Sequence, residues 1–386
     1  FFSHHKSTLI PKISFHCPIK MKPYMQILIL CPFFTDSHAQ WAKSYQQYSR
    51  HEVTIFSLPG RHWKWRMHGA AVTFAQQFTQ LTRLPDVILA TDMLDLTTFQ
   101  SLTKRQTAHI PTFLYFHENQ LTYPWSPDDQ DLIQKRDRHY AWINYVSALS
   151  ADQLWFNSVY HQQAFLHALP EFLTAFPDHP HVGMVDTLQV KSQVLPVGID
   201  LHTWNKSQVK AGKTPTLLWN HRWEYDKGPE AFFRVLMELK NEKVPFQLIV
   251  LGKAFGKVPP IFAQAKEVLA DRIIKWGYVE DRTEYRSWLQ QADILPVTAI
   301  HEYQGIATIE AIHAGCIPLL PHRLSYPELI PEAWHRHYLY QGEAELKTIL
   351  RTYLQAPSLP KPSLDMSRFD VRIMSPQYDA VVEGIV

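Results

Sequence analysis

"ADILPVTAIHEYQGIATIEAIHAGCIPLL", residues 292–320, carries two glutamates, Glu302 and Glu310, with seven residues between them. Its opening "ADILPVT" and closing "CIPLL" are short apolar runs, each the length of a buried strand. Between them "GIATIEAIHAG" has apolar residues at helical spacing and ends on a glycine, a common helix stop. The stretch reads strand, loop, helix, strand, the repeating unit of a parallel sheet. With the helix starting near Gln304, Glu302 stands just before its N-terminus and Glu310 lies within it. Free amides at such an N-terminus suit a phosphate. A carboxylate in the loop can accept hydrogen bonds from a sugar's hydroxyls, and one on the helix from a ribose diol. Outside that context the same pair reads as a capping acid and a solvated helical acid.

The pattern repeats outward along the chain. "TPTLLWNHRWEYDKGPEAFFRVLMELKN" (214–241) gives a strand, a loop and a helix with Phe232, Phe233, Leu236 and Leu239 on one face. "FQLIVLG" and "DRIIKWGYV" add two more strands. In the first half, "MQILILC" (25–31), "VTIFSLP", "DVILA", "TFLYFHEN" and "QLWFNS" are strands. Helical segments fall between most of them, from about His38, over 130–150 and over 158–169. Strands alternating with helices predict an α/β fold of doubly wound parallel sheets.

At 386 residues the chain is long enough for two domains of roughly 150 to 200 residues each. The polar stretch "PVGIDLHTWNKSQVKAGKTP" (196–215) has no buried pattern and reads as the connection between them. The expected division is 25–200, a linker at 201–215, and 216–362. Residues 1–24 lack the apolar core and cleavage site of a signal peptide and read as an extension outside the fold.

Hydrophobic content of 46% and charged content of 19% are those of a soluble globular protein, and no run reaches the ~18 apolar residues of a membrane span. The net charge of +2 neither demands nor excludes a nucleic-acid partner, since a local patch outweighs the total. Cys17, Cys31 and Cys316 are odd in number and unpaired in spacing, which predicts neither a disulfide framework nor a thiolate zinc site and fits the cytoplasm. No carboxylate or cysteine stands at ligand spacing from the histidine pairs 179/181 and 335/337, so no metal site is expected.

Only 13 glycines occur, and Gly228, Gly252, Gly277, Gly305 and Gly315 all fall near strand ends or motif loops of the second half, where glycine lets backbone approach a ligand. Ligands of such sheets bind beyond the carboxyl ends of strands. "NHRWEYDKGPEAF" (220–232) follows a strand there, and its Arg222 and Lys227 converge on the start of a helix. Together they can clamp a diphosphate and stabilise it as a leaving group. "YFHENQLTYPW" (115–125) sets His117, Glu118 and Asn119 at a strand end of the first domain, an active-site edge or else a histidine cap. "PGRHWKWRMHG" (59–69) interleaves Arg61, Lys64 and Arg66 with Trp63 and Trp65. That is either a phosphate-and-base surface for nucleic acid or a loop with its indoles tucked into the core.

Taken together, "YFHENQLTYP", "FNSVY", "HRWEYDKGPEAFFRVLMELK", "WGY" and "HEYQGIATIEAIHAGCIPL" resemble the retaining GT-B glycosyltransferases, and more closely the tRNA-queuosine alpha-mannosyltransferase family, from about residue 25 to the C-terminus. The resemblance implies two Rossmann-like domains facing a central cleft, acceptor on the first and nucleotide sugar on the second, with 363–386 returning as a helix to the first. It implies transfer of mannose from GDP-mannose to the cyclopentenediol of queuosine in tRNA, without a metal or other cofactor and without a membrane. Glu310 would hold the ribose, Glu302 and His117 would face the sugar, and Arg222 and Lys227 would bind the diphosphate. Gly252, Gly277, Tyr278, Gly305 and Ile306 would complete the donor site. Ser37, His38, Glu118 and Asn119, with the 61–66 stretch, would serve the acceptor. The first loop departs from the family: "FFTDSH" stands where adjacent glycines are common, so it either stays back from the donor or serves the acceptor.

Two other function classes compete. One is a transferase of the same fold acting on a lipid, glycan or small metabolite, or an epimerase acting on the sugar nucleotide alone. The other is an RNA-binding protein with a degenerate donor site, against which the joint presence of Arg222, Lys227, Glu302 and Glu310 speaks.

Overall fold

The computed structural model describes residues 24–126, 129–134, 138–204, 214–254, 258–355 and 364–385. Most of the 1–24 extension and the 205–213 part of the expected linker lie outside them. The first domain contributes β1 (Gln26–Phe34), β2 (Glu52–Pro59), β3 (Val87–Thr91), β4 (Thr112–Phe116), β5 (Gln153–Phe156) and β6 (Ser192–Val194). The second contributes β7 (Thr216–Trp219), β8 (Gln247–Leu251), β9 (Ile273–Gly277), β10 (Ile294–Pro296), β11 (Ile317–Pro321) and β12 (Leu339–Tyr340).

Both sets form parallel sheets, ordered β2-β1-β3-β4-β5-β6 and β12-β11-β10-β7-β8-β9. Every residue of β3, β4 and β11 is buried, as expected of strands covered by helices on both faces. Chain order reverses between β1 and β3 in the first sheet and between β7 and β10 in the second. Crevices open beyond the strand ends at those reversals, and the turn at Thr35 into the helix Asp36–Tyr48 and the loops 220–228 and 297–305 leave from them.

Local chemistry explains the helices that flank these loops. Pro229 begins the helix Pro229–Asn241, preceded by Gly228 in the left-handed region at φ 67°, and Phe232, Phe233, Val235, Leu236 and Leu239 form its buried face. A Cβ on Gly228 would stand 2.3 Å from the Thr298 carbonyl oxygen, so only glycine lets the β7 and β10 loops touch. Thr298 fastens that contact, its Oγ1 donating to the Gly228 carbonyl at 2.9 Å.

The final helix, Val371–Glu383, crosses back to the first domain. The Tyr45 hydroxyl donates to Asp379 Oδ1 at 2.9 Å, and the Gly198 amide donates to the Tyr378 hydroxyl at 2.9 Å. Tyr378, Met374 and Val382 belong to the core under one face of the first sheet, with Trp41, Tyr115 and Trp155. The reading of one helix over 130–150 meets two, Gln130–Ile133 and Arg138–Ser150. The stretch 59–69 also differs from expectation: it is largely the first two turns of the helix Trp63–Phe78, entered through His62 at φ 57°.

Candidate active site

The loops after β7 and β10 bring Arg222, Lys227 and Glu302 together. Lys227 is buried at the end of a short turn, its Nζ 3.1 Å from the His301 carbonyl oxygen, 3.1 Å from Asp226 Oδ2 and 3.4 Å from Glu302 Oε2. Burial works against the ammonium, but Glu302 and Asp226 more than offset it and hold its pKa above the ordinary lysine value. Burial likewise pushes the Glu302 carboxyl up, and the charge on Lys227 leads the groups that reverse this, leaving it at about 2. Glu302 is therefore a permanent anion near neutral pH, able to accept hydrogen bonds and unsuited to carry a proton. Arg222 lies nearer solvent, 3.0 Å from Glu224 Oε2 and 3.4 Å from the Tyr123 hydroxyl across the cleft.

Glu310 sits within the helix Ile306–His313, which begins beyond Gly305 at φ 82°. Its carboxylate is buried and held on both oxygens: Arg282 Nη2 donates to Oε1 at 3.3 Å and the Tyr285 hydroxyl to Oε2 at 3.0 Å. Burial raises the carboxyl's pKa, and Arg282 and Tyr285 counter that. The same Arg282 reaches Gln40 Oε1 in the first domain at 3.5 Å, so one guanidinium touches both walls of the cleft.

On the opposite wall, the loop after β4 presents His117 and Glu118. The His117 ring stacks on His38 with centroids 4.4 Å apart and meets Trp41 edge-on at 4.9 Å. Its Nε2 is buried without a hydrogen-bond partner among the described residues. Burial drives the imidazole well below its ordinary pKa, with His38 and His161 adding to the effect, so His117 is neutral at pH 7. Glu118 Oε1 accepts from Gln120 Nε2 at 2.9 Å. Burial pushes its carboxyl up to about 7, partly countered by Arg222.

One cavity of about 710 Å³ joins the two walls. Arg222, Lys227, Gly252, Tyr278, Glu302, Ile306 and Glu310 line it from the second domain, and Ser37, His38, His117 and Glu118 from the first. Thr35 also lines it, so the glycine-free first loop stands at the cavity edge; the side chain of Asp36 lies outside the described residues. Gly277 and Gly305 are not among the lining residues; both take positive φ and shape the backbone beside it.

The remaining acceptor residues lie outside the cavity, and Asn119, Lys64 and Trp63 have partners of their own. Asn119 does not face the cavity. It is fully buried, its Oδ1 accepts from the Leu121 and Thr122 amides, and its Nδ2 donates to the Tyr303 hydroxyl at 2.9 Å, so it shapes the loop and ties the domains together. In the 59–69 stretch, Lys64 is no free cation: its Nζ lies 2.6 Å from both Asp129 and Asp131. Trp63 packs against Trp125 and Tyr140. Arg61 is exposed, Arg66 donates to the Pro59 carbonyl at 3.2 Å, and Trp65 is 63% exposed. The Trp65 indole lies across Gly69, where a Cβ would come within 2.6 Å of it. None of the five lines the cavity.

Several site residues carried no local sequence signal. Asp226, His221 and His301 surround Lys227 and Glu302, and Tyr123 and Tyr303 close the cleft above them. Arg282 and Tyr285, three residues apart on one helical face, form a pattern meaningful only once Glu310 is known to lie opposite. Among the described residues no group of three His, Cys, Asp or Glu side chains is placed to hold a metal ion, and no helix is long and apolar enough to cross a membrane.

With this geometry in hand, comparison with known proteins is informative. Residues 26–199 match the family model for the tRNA-queuosine alpha-mannosyltransferase N-terminal domain, and residues 201–355 match glycosyl transferases group 1. A tRNA-queuosine alpha-mannosyltransferase from Drosophila melanogaster is 32% identical over 375 residues, covering 92% of this chain and 96% of that one. Among solved structures, sucrose-phosphate synthase from Thermosynechococcus elongatus superposes with a TM-score of 0.69 at 13% identity, over 94% of this chain and 99% of its own. Anabaena HepE in complex with UDP-glucose does so with a TM-score of 0.63 at 16% identity, over 93% and 100%. At such identities these two show the fold, the two-domain GT-B arrangement.

Proposed function

This chain belongs to the tRNA-queuosine alpha-mannosyltransferase family, and from that premise we propose that it moves mannose from GDP-mannose to the cyclopentenediol of queuosine in the tRNA anticodon, with retention at the sugar. The observation that carries the reading is the single cavity in which Arg222, Lys227, Glu302 and Glu310 face His117 and Glu118.

Each group has a role suited to its charge. Glu310, already held by Arg282 and Tyr285, accepts from the ribose diol. Arg222 and Lys227 take the diphosphate and oppose the negative charge that grows on it as the bond to the sugar's anomeric carbon breaks. Glu302, anionic throughout, accepts from sugar hydroxyls. Neutral His117 offers its unpaired nitrogen to the same sugar from the other wall. The acceptor oxygen bonds to the anomeric carbon from the side of the departing diphosphate, and its proton passes to a phosphate oxygen. The two basic side chains make a divalent metal unnecessary for donor binding. Exposed Arg61 and Trp65 and half-buried Arg66 on the first domain suit RNA phosphates and a base. The buried thiols of Cys31 and Cys316 accord with a cytoplasmic location.

The test is direct. The protein is incubated with queuosine-containing tRNA and separate sugar nucleotides, and the digested nucleosides are weighed. GDP-mannose should add one hexose to queuosine; a hexose added only from another donor, or none added, overturns the assignment.

A further inference from the structure

One carboxylate of the cleft stands without an ion pair of its own. Around the two cations that take the diphosphate stand four carboxylates: Glu224 and Asp226 beside Arg222, Asp226 and Glu302 beside Lys227, and Glu118 on the facing wall. A nucleotide sugar adds two further negative charges in the same space. Glu118 is the exception among them: no ion pair engages it among the described residues, and its Oε2 takes part in none of their hydrogen bonds. Burial pushes the carboxyl up to about 7, and Asp226 and Glu224 add to that while Arg222 and the Gln120 hydrogen bond counter it.

Features beside Glu118 suit a ligand there. The neighbouring His117, which meets the donor's sugar from this wall, lines the same cavity and brings the reacting centre close. The Tyr123 and Tyr303 rings line the cavity 6.5 Å apart. A carboxylate with open valence beside aromatic rings is a setting that stabilises an organic ammonium.

The proposed acceptor has such a group. Its cyclopentenediol is joined to the base through a secondary amine, a cation near neutral pH and only a few bonds from the hydroxyl that reacts. We propose that Glu118 binds this ammonium, so that the enzyme selects its acceptor by charge at the linking nitrogen as well as by the diol. The contact rests on the reading of queuosine as acceptor. It gives Glu118 a counter-charge, and it seats the ring with a hydroxyl toward Arg222 and the departing diphosphate.

Two anticodon stem–loop RNAs test this, one carrying queuosine and the other the same nucleoside with oxygen in place of the linking nitrogen. The wild-type protein should show a KM about tenfold lower for the amine than for the ether, the scale of one charge-assisted hydrogen bond. Glu118→Gln should raise the KM for the amine about tenfold, more than it lowers kcat, and should no longer distinguish the two RNAs. Retained GDP-mannose binding shows that the variant is folded. Equal discrimination in both proteins, or a wild type indifferent to the nitrogen, overturns the contact alone. Failure of the wild type to modify either RNA overturns the acceptor assignment and the contact with it.

Discussion

Replacing Lys227 with methionine keeps most of its volume while removing the charge at the centre of the donor site. Two consequences separate cleanly. The first is on stability. The Glu302 carboxyl stands at about 2 in the folded protein against an ordinary 4.5. At about 1.4 kcal/mol per unit, that difference corresponds to about 3 kcal/mol of stabilisation at pH 7. A depressed carboxylate pKa stabilises above the unfolded value, and that stabilisation is lost as pH falls through the folded one. Lys227→Met should thus melt lower at pH 7, and the gap should narrow as pH falls from 4.5 toward 2. The second consequence is on catalysis. The ammonium opposes charge that appears on the diphosphate only as the bond breaks, so kcat should drop by about 10²- to 10³-fold, with the donor KM changing far less. Calorimetric melts across pH and steady-state kinetics measure both. A raised donor KM with kcat unchanged would refute the leaving-group role, because it would mean that Lys227 binds the ground state and the transition state alike.

Glu310→Gln should weaken GDP binding by about ten- to a hundredfold, the range for one charged hydrogen-bond acceptor, and titration calorimetry reads it directly; unchanged affinity would place the ribose elsewhere. Donor affinity should be the same with and without a chelator, and binding that disappears on chelation would overturn the metal-free proposal. Arg61→Ala with Arg66→Ala should weaken tRNA binding and reduce the slope of log affinity against log salt by about 1.4 to 1.8, with GDP-mannose affinity intact. Lys64→Ala should leave that slope near wild type, since its ammonium is already paired with Asp129 and Asp131; a flattened slope for Lys64→Ala would show that the pair opens to RNA.

Where the sequence was legible, it was because one residue's neighbours in space were also its neighbours in the chain. The buried strands β1, β3, β4, β8 and β11 are unbroken apolar runs and stood out as such. β6 and β12 did not, being three and two residues long at the ends of their sheets, too short for any period. The Gly305 turn and the spacing of Glu302 and Glu310 lie within one loop and helix, and the pattern exposed them. The fate of Lys64 depended on aspartates 65 and 67 positions away, and that of Asn119 on Tyr303, 184 residues on. Local pattern carries no information about such partners. A cation in a basic, aromatic stretch looks the same whether it faces RNA or an aspartate.

Several of the residues that sequence reasoning passed over belong to the meeting of the two domains. Gln304, next to Gly305, gives its side chain to the first domain, accepting from the Val197 amide at 2.8 Å and donating to the Val197 carbonyl at 3.0 Å. The Tyr225 hydroxyl, two residues from Lys227, donates to the Pro124 carbonyl at 2.7 Å. Tyr303, next to Glu302, stacks on His161 with centroids 3.8 Å apart and bonds Asn119. Lys227 and Glu302 therefore each have a neighbour in the chain that grips the opposite wall. The distances between Lys227 or Glu302 and His117 or Glu118 are set by these contacts, and a residue that fixes them acts on transfer without touching either substrate. Tyr303→Phe removes only the hydroxyl that Asn119 and Thr122 share, and its cost to kcat would measure how far the chemistry depends on the walls being held at this spacing.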